Sequence, residues 1–168
     1  MSVKRNLVVK LPNDMININF SLFLKYNMKQ KANIKDWYKD NNMSSYINIK
    51  IGNTSLRAEL FDTQCARQIM ENIPIEAVPS EWGNEFYFEI PVTAQLDETA
   101  TTKVRVGDIG FWPPGRALAI FFGPTPMSRG DDPVPASAVN LVGKILDDAS
   151  HLKQEKGAGK IVLVKESA

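Results

Sequence analysis

The clearest pattern of hydrophobic and polar positions lies in residues 107–128, where two apolar strands flank a Pro-Pro-Gly turn. Pro114 fixes the φ angle of the second turn residue, and we expect Gly115 to adopt the positive φ that often follows. The strand after the turn is apolar on both faces: Leu118, Ile120 and Phe122 alternate with Ala117, Ala119 and Phe121. A strand with one face in water would alternate apolar and polar residues. This strand is therefore predicted to be buried on both sides, or to line a protected cavity with one of them.

The pattern upstream of this segment predicts a hairpin and then a helix. Residues 46–60 form two strands rich in Ile and Leu, with a turn at Gly52-Asn53. Apolar residues at helical spacing follow a cap at Asp62 or Thr63, and Pro74 ends this helix.

The remaining patterns predict a mainly β protein. Six further strands are expected at Phe86–Ile90, Lys103–Val106, Ile109–Trp112, Ala117–Phe122, Val139–Ile145 and Lys160–Val164. Residues 147–156 are predicted to form a second short helix, and residues 157–159 a turn. Many short strands, few helices and frequent Gly and Pro turns are typical of a closed or nearly closed antiparallel barrel.

The composition of the chain indicates the class of the protein and its cellular compartment. The chain has 168 residues, of which 43% are hydrophobic and 23% charged, as in an ordinary globular domain with an appendage. Its single cysteine excludes an internal disulfide framework and agrees with a reducing compartment, so a cytoplasmic location is predicted. No apolar run approaches the roughly 18 residues that a membrane span needs, and neither a membrane partner nor a signal peptide is expected.

Residues 1–45 differ from the rest and are predicted to form a basic, Asn- and Lys-rich arm outside a domain at 46–168. The arm holds seven Lys, one Arg and three Asp, whereas the body carries a net charge of −4. A mildly acidic body disfavours nucleic-acid binding, so any such contact would belong to the arm. Residues 16–24 suggest one strand, followed by a linker or exposed helix. Translation starting at Met43 is an alternative explanation of the arm.

Several multi-residue motifs occur together in the same order as in a known family. They are Trp82-Gly83-Asn84-Glu85-Phe86-Tyr87-Phe88, Val106-Gly107-Asp108, Trp112 to Ala117, Phe121 to Pro126, Pro135 to Asn140, and Val142-Gly143-Lys144. Together they resemble the small prokaryotic cyclophilin-like domain family of uncharacterised function, over about residues 46–164. The resemblance implies a closed, eight-stranded, antiparallel cyclophilin-like β-barrel with a helix plugging one end. It implies little about activity, because the arginine signature of true cyclophilins has no match here.

Eight residues in or near these motifs are candidates for a ligand pocket on the side of the barrel: Trp82, Glu85, Tyr87, Trp112, Arg116, Phe122, Ser137 and Asn140. Glu85 and Tyr87 lie two apart on a strand and therefore share one face. If that face lines a cavity, they offer a carboxylate and a phenol to a ligand. The alternative is an outward polar face, with Phe86 and Phe88 packed in the core.

The other candidates also have two interpretations. Trp82 and Trp112 are stacking surfaces for a ligand or buried caps of the barrel. Arg116 can bind a carboxylate in bidentate fashion or lie solvated after the turn. Ser137 and Asn140 can hydrogen-bond a ligand or stabilise turns.

The sequence assigns no catalytic residue, metal or cofactor. One His and one Cys cannot build a zinc site, and Cys65 has the spacing of a core residue on the first helix. The leading hypothesis is a barrel that binds a small molecule or peptide in its side pocket. The alternatives are a diverged prolyl isomerase and an accessory domain of small-amide metabolism, in which Glu85 would be a general base.

Overall fold

The structure is a computed structural model that describes residues 45–166. All but the last residue of the predicted arm, with its strand at 16–24 and the alternative start at Met43, lies outside that range. The elements are β1 (Ser45–Ile51), β2 (Thr54–Leu60), α1 (Gln64–Glu71), β3 (Ile75–Ala77), β4 (Ser80–Glu81), β5 (Glu85–Glu89), β6 (Ala100–Thr101), β7 (Asp108–Trp112), a 3₁₀ turn (Pro113–Gly115), β8 (Ala117–Phe121), β9 (Val139–Ile145), a 3₁₀ helix (Ala149–Glu155) and β10 (Ile161–Lys165).

The strands form one antiparallel sheet in the order β3-β10-β1-β2-β9-β7-β8-β5-β4, with β6 paired to β9. Laid flat at about 4.8 Å per strand, the two edges of this sheet would stand about 38 Å apart. The edge strands β3 and β4 are joined through residues 78–79 alone, a link of about 11 Å at most. The sheet therefore curls on itself, which confirms the predicted mainly β, cyclophilin-like barrel architecture. The described residues contain ten strands, two more than the eight that the resemblance implies.

The predicted hairpin and first helix are confirmed. β1 and β2 pair from Ser45–Leu60 to Ile51–Thr54 around the turn at Gly52-Asn53. Thr63 caps α1, because its Oγ1 accepts a hydrogen bond from the backbone N–H of Ala66 at 3.1 Å. Cys65 lies buried in the core, as predicted, and burial raises the pKa of its thiol to about 11. A protonated, enclosed thiol is a packing residue and not a nucleophile.

β8 is buried on both faces, as its sequence predicts. Leu118 and Ile120 belong to the large core, which also holds the apolar faces of β1, β2 and α1. Ala119 and Phe121 belong to a smaller cluster with Val104 and Val139, against which Tyr87 and Trp112 pack. The second cluster lies on the opposite face of the sheet from the main core, and its Val139, together with Tyr87 and Trp112, lines the site described below.

Two local predictions were wrong, and the second short helix is confirmed with a different helix type and narrower bounds. Residues 103–106 form no strand, because the Asp108 carboxylate accepts from Arg105 N–H at 2.8 Å and holds a turn. The predicted helix at 147–156 is a shorter 3₁₀ helix, which starts where Asp148 accepts from Ser150 N–H at 2.9 Å. Arg116, and not Gly115, takes the positive φ after the Pro-Pro-Gly turn, at 46°.

Candidate functional site

A pocket of about 200 Å³ opens on the outer side of the sheet, above the smaller cluster. It is lined by Trp82, Glu85, Tyr87, Trp112, Pro135, Ala136, Ser137 and Val139. β5 and β7 supply three of these residues, and the segment between β8 and β9, together with the start of β9, supplies four. Five of the eight residues predicted from sequence are therefore brought together in one cavity.

Glu85 occupies the most protected polar position of this pocket. Phe86 and Phe88 turn into the main core, so the strand alternation directs Glu85 and Tyr87 to the opposite face, where the pocket lies. Glu85 on β5 pairs with Phe121 on the neighbouring strand β8. The residue is only 8% exposed, and its Oε2 has no hydrogen-bond partner among residues 45–166. Burial raises the pKa of this carboxyl from 4.5 to about 7.

Trp112 forms the facing wall and is held from two sides. Its indole Nε1–H donates to Ser137 Oγ at 2.7 Å, a contact between residues 25 positions apart in sequence. A Cβ added to Gly115 would lie 2.4 Å from the Trp112 ring, so the ring rests directly on this glycine. Gly115 is therefore required for the close approach of the indole, and not for an unusual φ.

We expect Gly115→Ala to displace the Trp112 indole from its place in the pocket. The added methyl overlaps the ring, and relieving this overlap breaks the hydrogen bond to Ser137 at a cost on the order of 1–2 kcal/mol. NMR would show the displacement as a shift of the Trp112 indole N–H signal. Gly130→Ala is the matched control, because a Cβ there meets no atom within 4 Å. An unmoved Trp112 signal in the Gly115 variant would contradict the proposed packing.

The Trp82 wall is braced by the segment that follows β8. Gly83 has a φ of +65° and lets the chain turn close to Thr125. A Cβ added to Gly83 would lie 2.8 Å from the Cα of Thr125. Asn84 N–H donates to the carbonyl of Pro124 at 2.9 Å, which ties this turn to the loop. The loop is closed on itself, because Thr125 Oγ1 donates to the carbonyl of Val134 at 2.5 Å. These bonds fix Trp82 and the nearby segment 135–137 relative to each other.

Three predicted site residues lie outside the pocket. Arg116 pairs with the exposed carboxylate of Glu89. Phe122 is fully buried in the main core, with its ring centroid 4.6 Å from that of Phe86. Asn140 is also fully buried, and its amide links Asp97 N–H and the carbonyl of Gln95 at 2.9 and 2.8 Å. The structure thus gives each of them a structural contact away from the cavity.

Three pocket residues were not predicted: Pro135, Ala136 and Val139. Their side chains carry no reactive or hydrogen-bonding group, so residue type gives no signal for them. The described residues contain no group of three or more His, Cys, Asp or Glu side chains that could hold a metal ion. In the same part of the chain, no helix is long and apolar enough to cross a membrane.

The fold and the site together define a small cyclophilin-like β-barrel protein with an aromatic pocket on its outer side. The chain belongs to the cyclophilin-like family, whose model matches residues 45–164, and the resemblance inferred from the motifs is confirmed. A hypothetical protein from Archaeoglobus fulgidus, solved in solution, is 30% identical with a TM-score of 0.63. The match covers 73% of this chain and 95% of the archaeal one. A search of curated proteins found no match.

Proposed function

We propose that this protein binds a small molecule, or the side chain of a peptide, in the pocket walled by Trp82, Tyr87 and Trp112. The observation that carries the proposal is the Glu85 carboxyl, buried in this pocket with one oxygen that has no partner in the described part of the chain. A buried polar atom without a partner costs about 1–3 kcal/mol. A ligand that hydrogen-bonds to it would remove that cost. The single, buried cysteine is in keeping with action in the cytoplasm.

The size of the pocket limits the occupant. A cavity of about 150 Å³ accommodates benzene, so a pocket of about 200 Å³ suits a group of similar or slightly larger size. Three aromatic walls and one buried carboxyl match the usual composition of ligand sites, which are mostly apolar with a few polar groups. Half-buried Trp82 and Trp112 leave the mouth open to solvent, so a small ligand can enter without rearrangement of the sheet.

A thermal-shift screen tests this function. Small metabolites and proline-containing peptides are added to the full chain, because a ligand that binds only the folded state raises its melting temperature. Hits are repeated with Trp82→Ala, which removes a wall, and with Glu89→Gln, which changes an exposed carboxylate outside the pocket. We expect hits to stabilise wild type and the Glu89 variant but not the Trp82 variant. Equal stabilisation of all three, or no hit at millimolar concentration, would rule out binding in this pocket.

Acid–base chemistry on small amides is a second candidate, and it uses the same carboxyl. A general base works best when its pKa lies near the working pH, and burial raises the pKa of Glu85 to about 7. Ammonia release from short-chain amides, present in wild type and lost in Glu85→Gln, would support this role. A diverged prolyl isomerase has less support here, because Arg116 is engaged with Glu89 and lies outside the pocket.

A further inference from the structure

The charges that line the pocket are unbalanced. Among the described residues that form its walls, Glu85 is the one acidic group and there is no Lys, Arg or His. An anionic ligand would meet an uncompensated carboxylate there, whereas a cation would neutralise it. Charge complementarity therefore favours a positively charged occupant.

The hydrogen-bonding groups of the pocket indicate that this positively charged occupant also carries a hydrogen-bond donor. The Glu85 carboxylate is acceptor-only when ionised, and its Oε2 is unpartnered within the described residues. It needs an N–H or O–H donor, and a charged N–H donor makes the stronger bond. A quaternary ammonium group has no proton to donate and would leave the oxygen unsatisfied.

The aromatic walls suit the same occupant. Trp82, Tyr87 and Trp112 line the cavity with rings whose faces carry partial negative charge. An ammonium or amidinium group within about 6 Å of such a ring gains a cation–π attraction, which is larger when the site excludes water. The ring faces and the Glu85 carboxylate thus both favour a positively charged ligand.

Resting on the proposed function, we propose that the pocket selects a small organic cation with at least one N–H donor, such as a primary ammonium or an amidinium group. Glu85 accepts a hydrogen bond from the cationic nitrogen, and the three rings attract the same positive charge and pack against the apolar part of the ligand. Ser137, which accepts from Trp112, keeps a hydroxyl proton at the rim for an acceptor elsewhere on the ligand.

The test compares four small probes that share a four-carbon chain, on the full chain: butylammonium, butyltrimethylammonium, butyramide and butyrate. Binding is followed by NMR at the indole N–H signals of Trp82 and Trp112. We expect butylammonium to have at least a tenfold lower Kd than butyramide and butyrate, and a lower Kd than the quaternary probe. Glu85→Gln should abolish the preference for butylammonium, whereas Glu89→Gln should retain it.

The pH dependence of binding provides a second readout. A cation needs the ionised carboxylate, so with a pKa of about 7 for Glu85 the Kd of butylammonium should rise about tenfold from pH 8 to pH 6. Within residues 45–166, Tyr87 is the other titratable group that lines the pocket. Glu81 on the neighbouring strand accepts from Gly157 N–H at 2.5 Å, and Glu89 on β5 pairs with Arg116. Loss of the pH dependence in Glu85→Gln but not in Glu89→Gln would assign it to Glu85.

Two results would overturn the inference, and they differ in what they say about the proposed function. If butyrate or butyramide binds as tightly as butylammonium, or if a screen hit without positive charge occupies the pocket in preference, the cation preference is wrong and small-molecule binding stands. If no probe moves the Trp82 and Trp112 signals and the thermal-shift screen also finds no pocket ligand, both proposals are wrong.

Discussion

Glu85→Gln is expected to raise the free energy of unfolding by about 2 kcal/mol at pH 8 and to leave it nearly unchanged at pH 4. At pH 8 the folded protein holds an ionised carboxylate in the pocket, with Oε2 unpartnered among residues 45–166, whereas the unfolded chain exposes it to water. At pH 4 the carboxyl is protonated in the folded state and mostly protonated in the unfolded state. An amide is isosteric with that protonated form. Urea unfolding of the full chain at several pH values measures the difference.

The free energy of unfolding changes with pH because the folded and unfolded states bind different numbers of protons. The pKa of Glu85 rises from 4.5 to about 7 on folding, so between these values the folded state holds more protons. The carboxyl therefore lowers the free energy of unfolding as pH rises from about 4.5 to about 7. A fully transmitted shift corresponds to roughly 3 kcal/mol, and water at the open mouth of the pocket reduces this to about 2 kcal/mol.

Glu89→Gln is the matched control for this experiment. It makes the same change four residues along the same strand, at an exposed carboxylate that pairs with Arg116. An exposed ion pair contributes about 0–1 kcal/mol, so this variant should follow the pH profile of wild type. If Glu85→Gln also follows that profile, the carboxyl is not buried as described. A stabilised Glu85 variant that loses cation binding would instead connect the cost in stability to function.

Much of the fold could be predicted because its signals are local. The two-faced apolar pattern of residues 117–122 required burial on both sides, and β8 has a core on each face. The Gly52-Asn53 turn and the Thr63 cap act over two to four residues, and both were located correctly. The short strands β3, β4 and β6 were missed, because two or three residues are too few to show alternation.

The site was harder to predict because it depends on contacts between distant segments. The Trp112–Ser137 hydrogen bond joins residues 25 apart, and Glu85 meets Phe121 only through the pairing of β5 with β8. Residue type alone made Arg116 and Asn140 as attractive as Glu85. Their real partners, Glu89 for Arg116 and the Gln95–Asp97 backbone for Asn140, follow from tertiary structure. The sequence did predict that Glu85 and Tyr87 share one face, because side chains alternate along a strand.

Asn140→Ala is expected to lower the free energy of unfolding by about 2–4 kcal/mol without changing the Kd of a pocket ligand. The side chain is fully buried, and its amide accepts from Asp97 N–H and donates to the carbonyl of Gln95. Alanine leaves both backbone groups unsatisfied and adds a cavity beside β9. The stability loss is measured by urea unfolding, and the Kd by NMR with butylammonium on the folded variant.

Asn48→Ala is the control, because Asn48 is a half-buried asparagine within a strand, β1, and most substitutions at such positions cost about 1 kcal/mol or less. Asn140 was a candidate ligand-binding residue by sequence, so the two readouts separate its possible roles. A large loss of stability with an unchanged Kd assigns Asn140 a structural role, in which its amide holds residues 95–97 against β9. A tenfold higher Kd, with stability near that of the Asn48 variant, would instead place Asn140 in the binding site. A residue that contacts only protein cannot weaken ligand binding without also changing stability.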